Sequence, residues 1–259
     1  MSKFPKKKII IGTWSLSGDY GLIEKKKVIE CLTCCVENGF NEFDTAPNYG
    51  NGFIYKILSD FKKKSNKQIK INTKCGYDDN LKSKNFSLSS IKKSVENSLD
   101  YFGEINCLLL HNPRNEISNW KNILNCMKEF KKKKLVKSIG ISLAKNYLFE
   151  KKLLNEFDYV VDEFNLLRSN NYQYFQSLKS IFVSRSIFAN GLLAHNNNKY
   201  RFSKQDHRYS WFKENRKKTI YLQLGKLHKI FGKDLKDAAY DYNNSYKFIK
   251  KFIIGVRKK

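Results

Sequence analysis

Residues Ile105–His111 read Ile-Asn-Cys-Leu-Leu-Leu-His. Four successive apolar residues, from Cys107 to Leu110, would point to both sides of a strand, so both sides must be covered. Strands that are buried on both faces are typical of parallel sheets, in which a helix connects one strand to the next. The polar His111 ends the run and marks the carboxyl end of this strand.

The rest of the chain repeats this pattern of short apolar segments and longer amphipathic ones. The pattern predicts strands at residues 9–11, 40–44, 69–74, 105–111, 136–142, 159–164, 181–186 and 252–256. It predicts helices at residues 24–38, 52–63, 87–100 and 217–231, at 235–243, near 146–155 and 172–179, and around the apolar face Trp120, Ile123, Leu124 and Met127. The long connection at residues 187–215 is predicted to be a functional loop over one end of the sheet.

Eight strands with intervening helices fit either an open doubly wound sheet or a closed barrel. The phosphate-binding turn of the open fold, GxGxxG after the first strand, is absent. A barrel of eight β/α units needs about 250 residues, and the chain has 259 residues. We therefore predict an α/β fold with one domain over residues 1–259, a TIM (β/α)8 barrel.

Composition narrows the possible partners. The chain carries 50 Lys and Arg against 24 Asp and Glu, a net charge of +26. The lysines occur in short runs spread along the whole length, which is typical of a solvated surface rather than of a nucleic-acid-binding arm. No run approaches 18 apolar residues, so we expect no membrane span. We predict no nucleic-acid or membrane partner.

Six cysteines lie in apolar segments, without the paired spacing of a disulfide framework or a zinc site. Cys31 and Cys34 form a CxxC pair, but the pair lies inside a helical pattern and no second pair of ligands follows. The first residues also lack the apolar stretch of a signal peptide. We expect reduced core cysteines, no metal site and a cytoplasmic protein.

Polar residues end three successive predicted strands. Asp44 ends the second strand, Lys74 the third and His111 the fourth, and Tyr49 follows Asp44 by five residues. Active sites of TIM barrels lie at the carboxyl ends of the strands, so these four side chains should meet. Singly, each has an ordinary structural explanation, such as a turn aspartate or a core histidine. Their joint placement on successive strand ends predicts an active site.

The four residue types suit carbonyl reduction. Hydride transfer to a carbonyl leaves an alkoxide, which requires a proton from a general acid. The Tyr49 phenol can supply it if an adjacent cation lowers its pKa, and Lys74 is that cation. Asp44 would keep the buried Lys74 charged. His111 would hydrogen-bond the substrate oxygen and orient it.

These residues resemble the aldo-keto reductase family. The resemblance is carried by FDTAPNYG at residues 43–50, TK at 73–74, LLH at 109–111 and IGIS at 139–142, and it extends from the first strand to the eighth. It implies a catalytic tetrad of Asp44, Tyr49, Lys74 and His111, with Tyr49 as proton donor. It also implies a cofactor, usually NADPH with NADH not excluded, that is bound across the barrel mouth by Gly12, Thr13, Trp14, Asp44, Ser142, Asp162, Ser184, Arg185, Ser186, Gly191, Leu192 and Arg257.

The seventh-strand sequence RSIFANGLL at residues 185–193 is similar to that of a bacterial subgroup often associated with sugar pathways. Some positions depart from the family pattern. Leu143 and Asp162 replace amide residues that contact the nicotinamide, and Arg185 stands where many relatives stack an aromatic ring on it. The sequence stops soon after strand eight, before the helix that grips the adenosine 2′-phosphate in relatives. We therefore expect a shortened barrel whose positive end, Arg257 to Lys259, meets the phosphate.

Two functions remain open at this stage. The first is an NAD(P)H-dependent reductase of an aldehyde, ketone or keto-sugar. The second is a non-catalytic barrel that senses a nucleotide or binds a protein partner, suggested by the missing helix and the altered cofactor positions. Surface left exposed beside strand eight would also permit a homodimer.

Overall fold

The computed structural model describes residues 5–78, 82–114, 117–144, 148–169, 171–194, 200–232 and 234–257. Eight parallel strands form a closed barrel, in which each strand pairs with its neighbours in chain order and the eighth pairs with the first. The strands are β1 (Ile9–Gly12), β2 (Glu42–Asp44), β3 (Lys70–Cys75), β4 (Ile105–His111), β5 (Val136–Ser142), β6 (Tyr159–Glu163), β7 (Ile181–Arg185) and β8 (Ile249–Gly255). The prediction of a TIM (β/α)8 barrel is confirmed.

Helices surround the barrel, and most of them bury apolar side chains. They are α1 (Lys25–Glu37), α2 (Phe53–Lys64), α3 (Leu88–Phe102), α4 (Trp120–Lys132), α5 (Lys151–Leu154), α6 (Tyr172–Gln176), α7 (Arg208–Trp211), α8 (Glu214–Phe231) and α9 (Leu235–Ser245). Local chemistry fixes their ends: the Ser87 hydroxyl accepts a hydrogen bond from the Ser90 amide at the start of α3. No helix among the described residues is long and apolar enough to cross a membrane.

The barrel interior has an apolar layer between two polar ones. The apolar layer consists of Ile10, Cys107, Leu109, Val161 and Val183. Towards the amino ends of the strands, Lys251 contacts Glu42 at 2.6 Å, and the Asn72 amide donates to the same carboxylate at 2.9 Å. Towards the carboxyl ends lies the polar mouth of the barrel. Glu42 of β2 and Asn72 of β3 therefore lie at one end of the interior, and Asp44 and Lys74, two residues further along each strand, lie at the other.

Some element boundaries predicted from the sequence were wrong. Strand β8 begins at Ile249 rather than at residue 252, because the Lys251 side chain enters the barrel to pair with Glu42 instead of facing solvent. The helix predicted near residues 146–155 is the single turn α5, and residues 145–147 lie outside the described part of the chain. The short antiparallel strand pair Tyr77–Asp78 and Ser83–Lys84 was not predicted from the sequence.

Candidate active site

An ion pair lies inside the barrel mouth. The Lys74 ammonium donates to Asp44 Oδ1 at 2.7 Å and to the Thr45 carbonyl at 2.8 Å. The side chains are only 3% and 6% exposed. Burial disfavours the ammonium, but the charge of Asp44 and the hydrogen bond to it, together with smaller contributions from Tyr49, outweigh burial and raise the pKa of Lys74. Lys74 is therefore protonated at neutral pH.

Tyr49 lies in a tightly constrained turn after β2. Its ring stacks on Trp14 with the centroids 5.8 Å apart, and the Lys74 ammonium lies 4.9 Å from its centroid. The next residue, Gly50, has φ +56, and a Cβ at this position would lie 2.1 Å from the Ser17 carbonyl oxygen. Only glycine fits so close to another backbone segment, so the turn fixes the place of the phenol.

The pKa of Tyr49 departs from the expectation. The sequence suggested that Lys74 would lower it, but burial of the hydroxyl raises the pKa above its usual value of 10, and Lys74 and Arg185 oppose this effect only in part. Without substrate, Tyr49 therefore holds its proton throughout the neutral range. Burial of the phenol depends on the folded barrel and could not be predicted from the sequence.

His111 ends β4 beside the phenol, with its ring centroid 6.1 Å from that of Tyr49 in an edge-to-face arrangement. Burial is the main reason that its pKa lies well below 6.5, and the nearby cations Lys84, Lys74 and Arg185 lower it further. Nδ1 is buried without a hydrogen-bond partner among the described residues. His111 is thus neutral at pH 7.

The opposite half of the mouth consists of the ends of β5, β6 and β7. Ser142 Oγ lies 3.2 Å from the Asn112 side-chain amide. Arg185 Nη2 donates to the Leu143 carbonyl at 3.2 Å and lies 3.7 Å from Asp162 Oδ1. Burial raises the pKa of Asp162 to about 6, although Arg185 opposes this shift. Asp162 and Arg185, two of the residues that depart from the family pattern, thus form an ion pair at the ends of β6 and β7.

Four further predicted cofactor residues lie at the end of β1 or in the connections that follow β1 and β7. Gly12 ends β1, and the buried Thr13 donates its hydroxyl to the Asp44 carbonyl. Ser186 begins the connection after β7, where its carbonyl accepts a hydrogen bond from the Asn165 amide. Gly191 follows in a turn of that connection, at φ +94.

Three of these residues have structural contacts that compete with the predicted role. Ser184 points away from the mouth, because its hydroxyl contacts the Phe164 carbonyl and Asn243 beneath α9. Leu192 is buried in a cluster with residues of α8. Arg257 donates to three backbone carbonyls, those of Ser15, Gly21 and Leu22, and Lys258 and Lys259 lie outside the described residues.

Other residues at the mouth were missed in the sequence analysis. The Asp19 carboxylate accepts hydrogen bonds from the Trp14 indole at 2.8 Å and the Gly50 amide at 3.2 Å. The His207 ring packs on Trp14, and its amide donates to the Asp19 carbonyl. The connection after β7 is thereby fastened across the mouth to the loop after β1. No local pattern signals these residues, because each meets its partners only in the closed barrel.

A family model described as the aldo/keto reductase family matches residues 8–259. The chain belongs to this family. Family membership makes it an oxidoreductase of small-molecule carbonyl compounds, in a family that uses nicotinamide cofactors. No curated protein sequence matches the chain.

Solved structures support the same fold. A glycerol dehydrogenase from Gluconobacter oxydans is 18% identical, with a TM-score of 0.76 over 97% of this chain and 83% of the other. An aldo-keto reductase from Bacillus halodurans in its holo form is 19% identical, with a TM-score of 0.72 over 97% of this chain and 82% of the other.

Within the described residues, no group of three or more His, Cys, Asp or Glu could hold a metal ion.

Proposed function

We propose that this aldo-keto reductase reduces an aldehyde, ketone or keto-sugar with NADPH or NADH, and that Tyr49 donates the proton. The observation that carries the proposal is the buried Asp44–Lys74 ion pair directly beside the Tyr49 ring. A buried charged pair stabilises a barrel poorly compared with apolar packing, so its cost is explained by chemistry at the mouth. We also propose a cytoplasmic location, in accord with the six free thiols.

The described residues fit a nicotinamide cofactor. Three buried polar atoms of residues at the mouth have no hydrogen-bond partner among the described residues: Oδ2 of Asp44, Nδ1 of His111 and Nε of Arg185. Such atoms are costly unless a ligand or water satisfies them. Ser142 and Asn112 add hydroxyl and amide groups at the end of β5, which suit a carboxamide. The bound cofactor would supply hydride at this face of the carbonyl.

The side chains of the tetrad would orient the carbonyl, donate the proton and stabilise the charge that remains. The neutral His111 would donate a hydrogen bond to the carbonyl oxygen and orient it towards Tyr49. As hydride arrives, the oxygen becomes an alkoxide, a much stronger base than a phenolate, so the Tyr49 proton transfers despite its raised pKa. Lys74 stabilises the phenolate that remains, and Asp44 keeps Lys74 in place and charged.

Cofactor titration with NADPH and NADH, side by side, followed by a panel of aldehydes and keto-sugars, tests the proposal. We expect saturable binding, and tighter binding of NADPH. The panel should include short polyol aldehydes, because a similar fold belongs to a glycerol dehydrogenase. Absence of binding at millimolar cofactor would refute the proposal and favour a non-catalytic barrel.

A further inference from the structure

The mouth opposite the tetrad contains a cation that the chemistry described above does not use. The Arg185 side chain is 24% exposed and belongs to the end of β7. It contacts the Leu143 carbonyl at 3.2 Å and Asp162 at 3.7 Å, and its buried Nε atom has no hydrogen-bond partner among the described residues. Because 3.7 Å exceeds hydrogen-bond length, Asp162 compensates the guanidinium charge only in part.

The charge of Arg185 reaches the reacting groups. It influences the ionisation of Asp44, Tyr49 and His111, which lie on the other side of the mouth. Low polarity inside the barrel keeps such an interaction strong over several ångströms. A ligand between β7 and the tetrad would therefore lie closer to this charge than the tetrad does.

The proposed function places the nicotinamide in that space. The tetrad occupies the ends of β2, β3 and β4, where the carbonyl oxygen must meet Tyr49. A hydride donor must lie about 3–3.5 Å from the carbonyl carbon. The side left for it is formed by β5, β6 and β7, where Ser142 and Arg185 end their strands and Asp162 is the second-last residue of β6.

The two redox forms of a nicotinamide differ in charge at this point. The oxidised ring is a cation, and the reduced ring is neutral. We propose that the Arg185–Asp162 pair makes the site bind the reduced cofactor more tightly than the oxidised one, so that the oxidised product competes less well for the free enzyme. A unit charge about 5 Å away, at an effective dielectric constant of about 20, corresponds to a preference on the order of 100-fold, and Asp162 reduces it.

This inference rests on the proposed function and assigns a further role to the same site. It predicts opposite effects for the two partners. Removing the Arg185 charge relieves repulsion of the oxidised ring and leaves the Asp162 carboxylate to attract it. Removing the Asp162 charge leaves the guanidinium without compensation, which weakens binding of the oxidised form further.

The test is the ratio of dissociation constants for NADP⁺ and NADPH, measured by fluorescence titration at pH 7.5. Arg185→Met removes the charge at similar side-chain length, Arg185→Lys retains it, and Asp162→Asn removes its partner. We expect the ratio to fall by about tenfold or more in Arg185→Met, to stay near wild type in Arg185→Lys, and to rise in Asp162→Asn.

A purely structural role for Arg185 would weaken both forms equally and leave the ratio unchanged, which would overturn the inference. If Arg185→Met fails to fold, the opposite change in Asp162→Asn still decides, because an unchanged or lower ratio there contradicts the charge argument. Failure of both cofactor forms to bind the wild-type protein would instead refute the proposed function, and this inference with it.

Discussion

The Nζ atom of Lys74 lies 2.7 Å from Oδ1 of Asp44, deep in the mouth of the barrel. In Asp44→Asn, the buried ammonium loses its compensating charge, so we expect the free energy of unfolding to fall by about 3–5 kcal/mol and turnover to fall with it. Chemical denaturation and steady-state kinetics measure both. The matched control is Asp60→Asn, which removes the exposed partner of Lys25 and should cost less than about 1 kcal/mol. Equal effects of the two substitutions would contradict the role of the buried pair.

Gly50 provides a test of how the phenol is positioned. In Gly50→Ala, the new Cβ would lie 2.1 Å from the Ser17 carbonyl oxygen, so the turn that carries Tyr49 must move. Gly103→Ala is the control, because Gly103 also has positive φ but has open space around its Cβ position. We expect Gly103→Ala to cost about 1–3 kcal/mol of stability from backbone strain alone and to leave kcat unchanged. Gly50→Ala should cost more and also lower kcat; a wild-type kcat would refute this account of the turn.

Asp19 should act as a positioning residue through Trp14 and Gly50. Asp19→Ala removes the acceptor of both hydrogen bonds. Bonds to a charged group are each worth about 1.5–3 kcal/mol, so we expect kcat to fall by about tenfold or more. Asp19→Asn retains one acceptor oxygen and should recover part of the loss. If Asp19→Ala and Asp19→Asn both had the kcat of the wild-type protein, the carboxylate would have no such positioning role.

The barrel could be predicted because each buried parallel strand appears in the sequence as a short run of apolar residues. The tetrad could be predicted for the same reason: Asp44, Lys74 and His111 stand at strand ends, and a TIM barrel brings such ends together. Contacts such as that of Asp19 with Gly50 carry no local signal, since they depend on how two loops meet. The raised pKa of Tyr49 and the outward direction of Ser184 likewise follow from packing, which residue spacing does not specify.

The pKa of about 6 for Asp162 predicts a pH dependence of cofactor preference. Below this pH the carboxyl group is neutral, Arg185 is uncompensated, and oxidised cofactor should bind weakly; above it the carboxylate offsets the repulsion. The other charged groups that influence Asp162 are Glu163 and Arg168. We therefore expect the ratio of NADP⁺ to NADPH dissociation constants to fall from pH 5 to pH 7. Use of a ratio cancels titration of the cofactor phosphate, whose second pKa is about 6.

Asp162→Asn is the control for this pH dependence. The ratio of NADP⁺ to NADPH dissociation constants in this variant should be high and constant from pH 5 to pH 7, because residue 162 no longer carries a carboxyl group. A wild-type ratio that does not vary with pH would contradict the assigned ionisation of Asp162.

Turnover by Tyr49→Phe decides whether Tyr49 is the proton donor. The ring that stacks on Trp14 remains, so cofactor affinity and stability should match the wild type. Loss of the phenolic proton should lower kcat by about 10²- to 10⁴-fold, while Tyr209→Phe, at a half-exposed surface ring, should leave kcat unchanged. A Tyr49→Phe protein that binds cofactor and reduces the same carbonyl at the wild-type rate would contradict the mechanism.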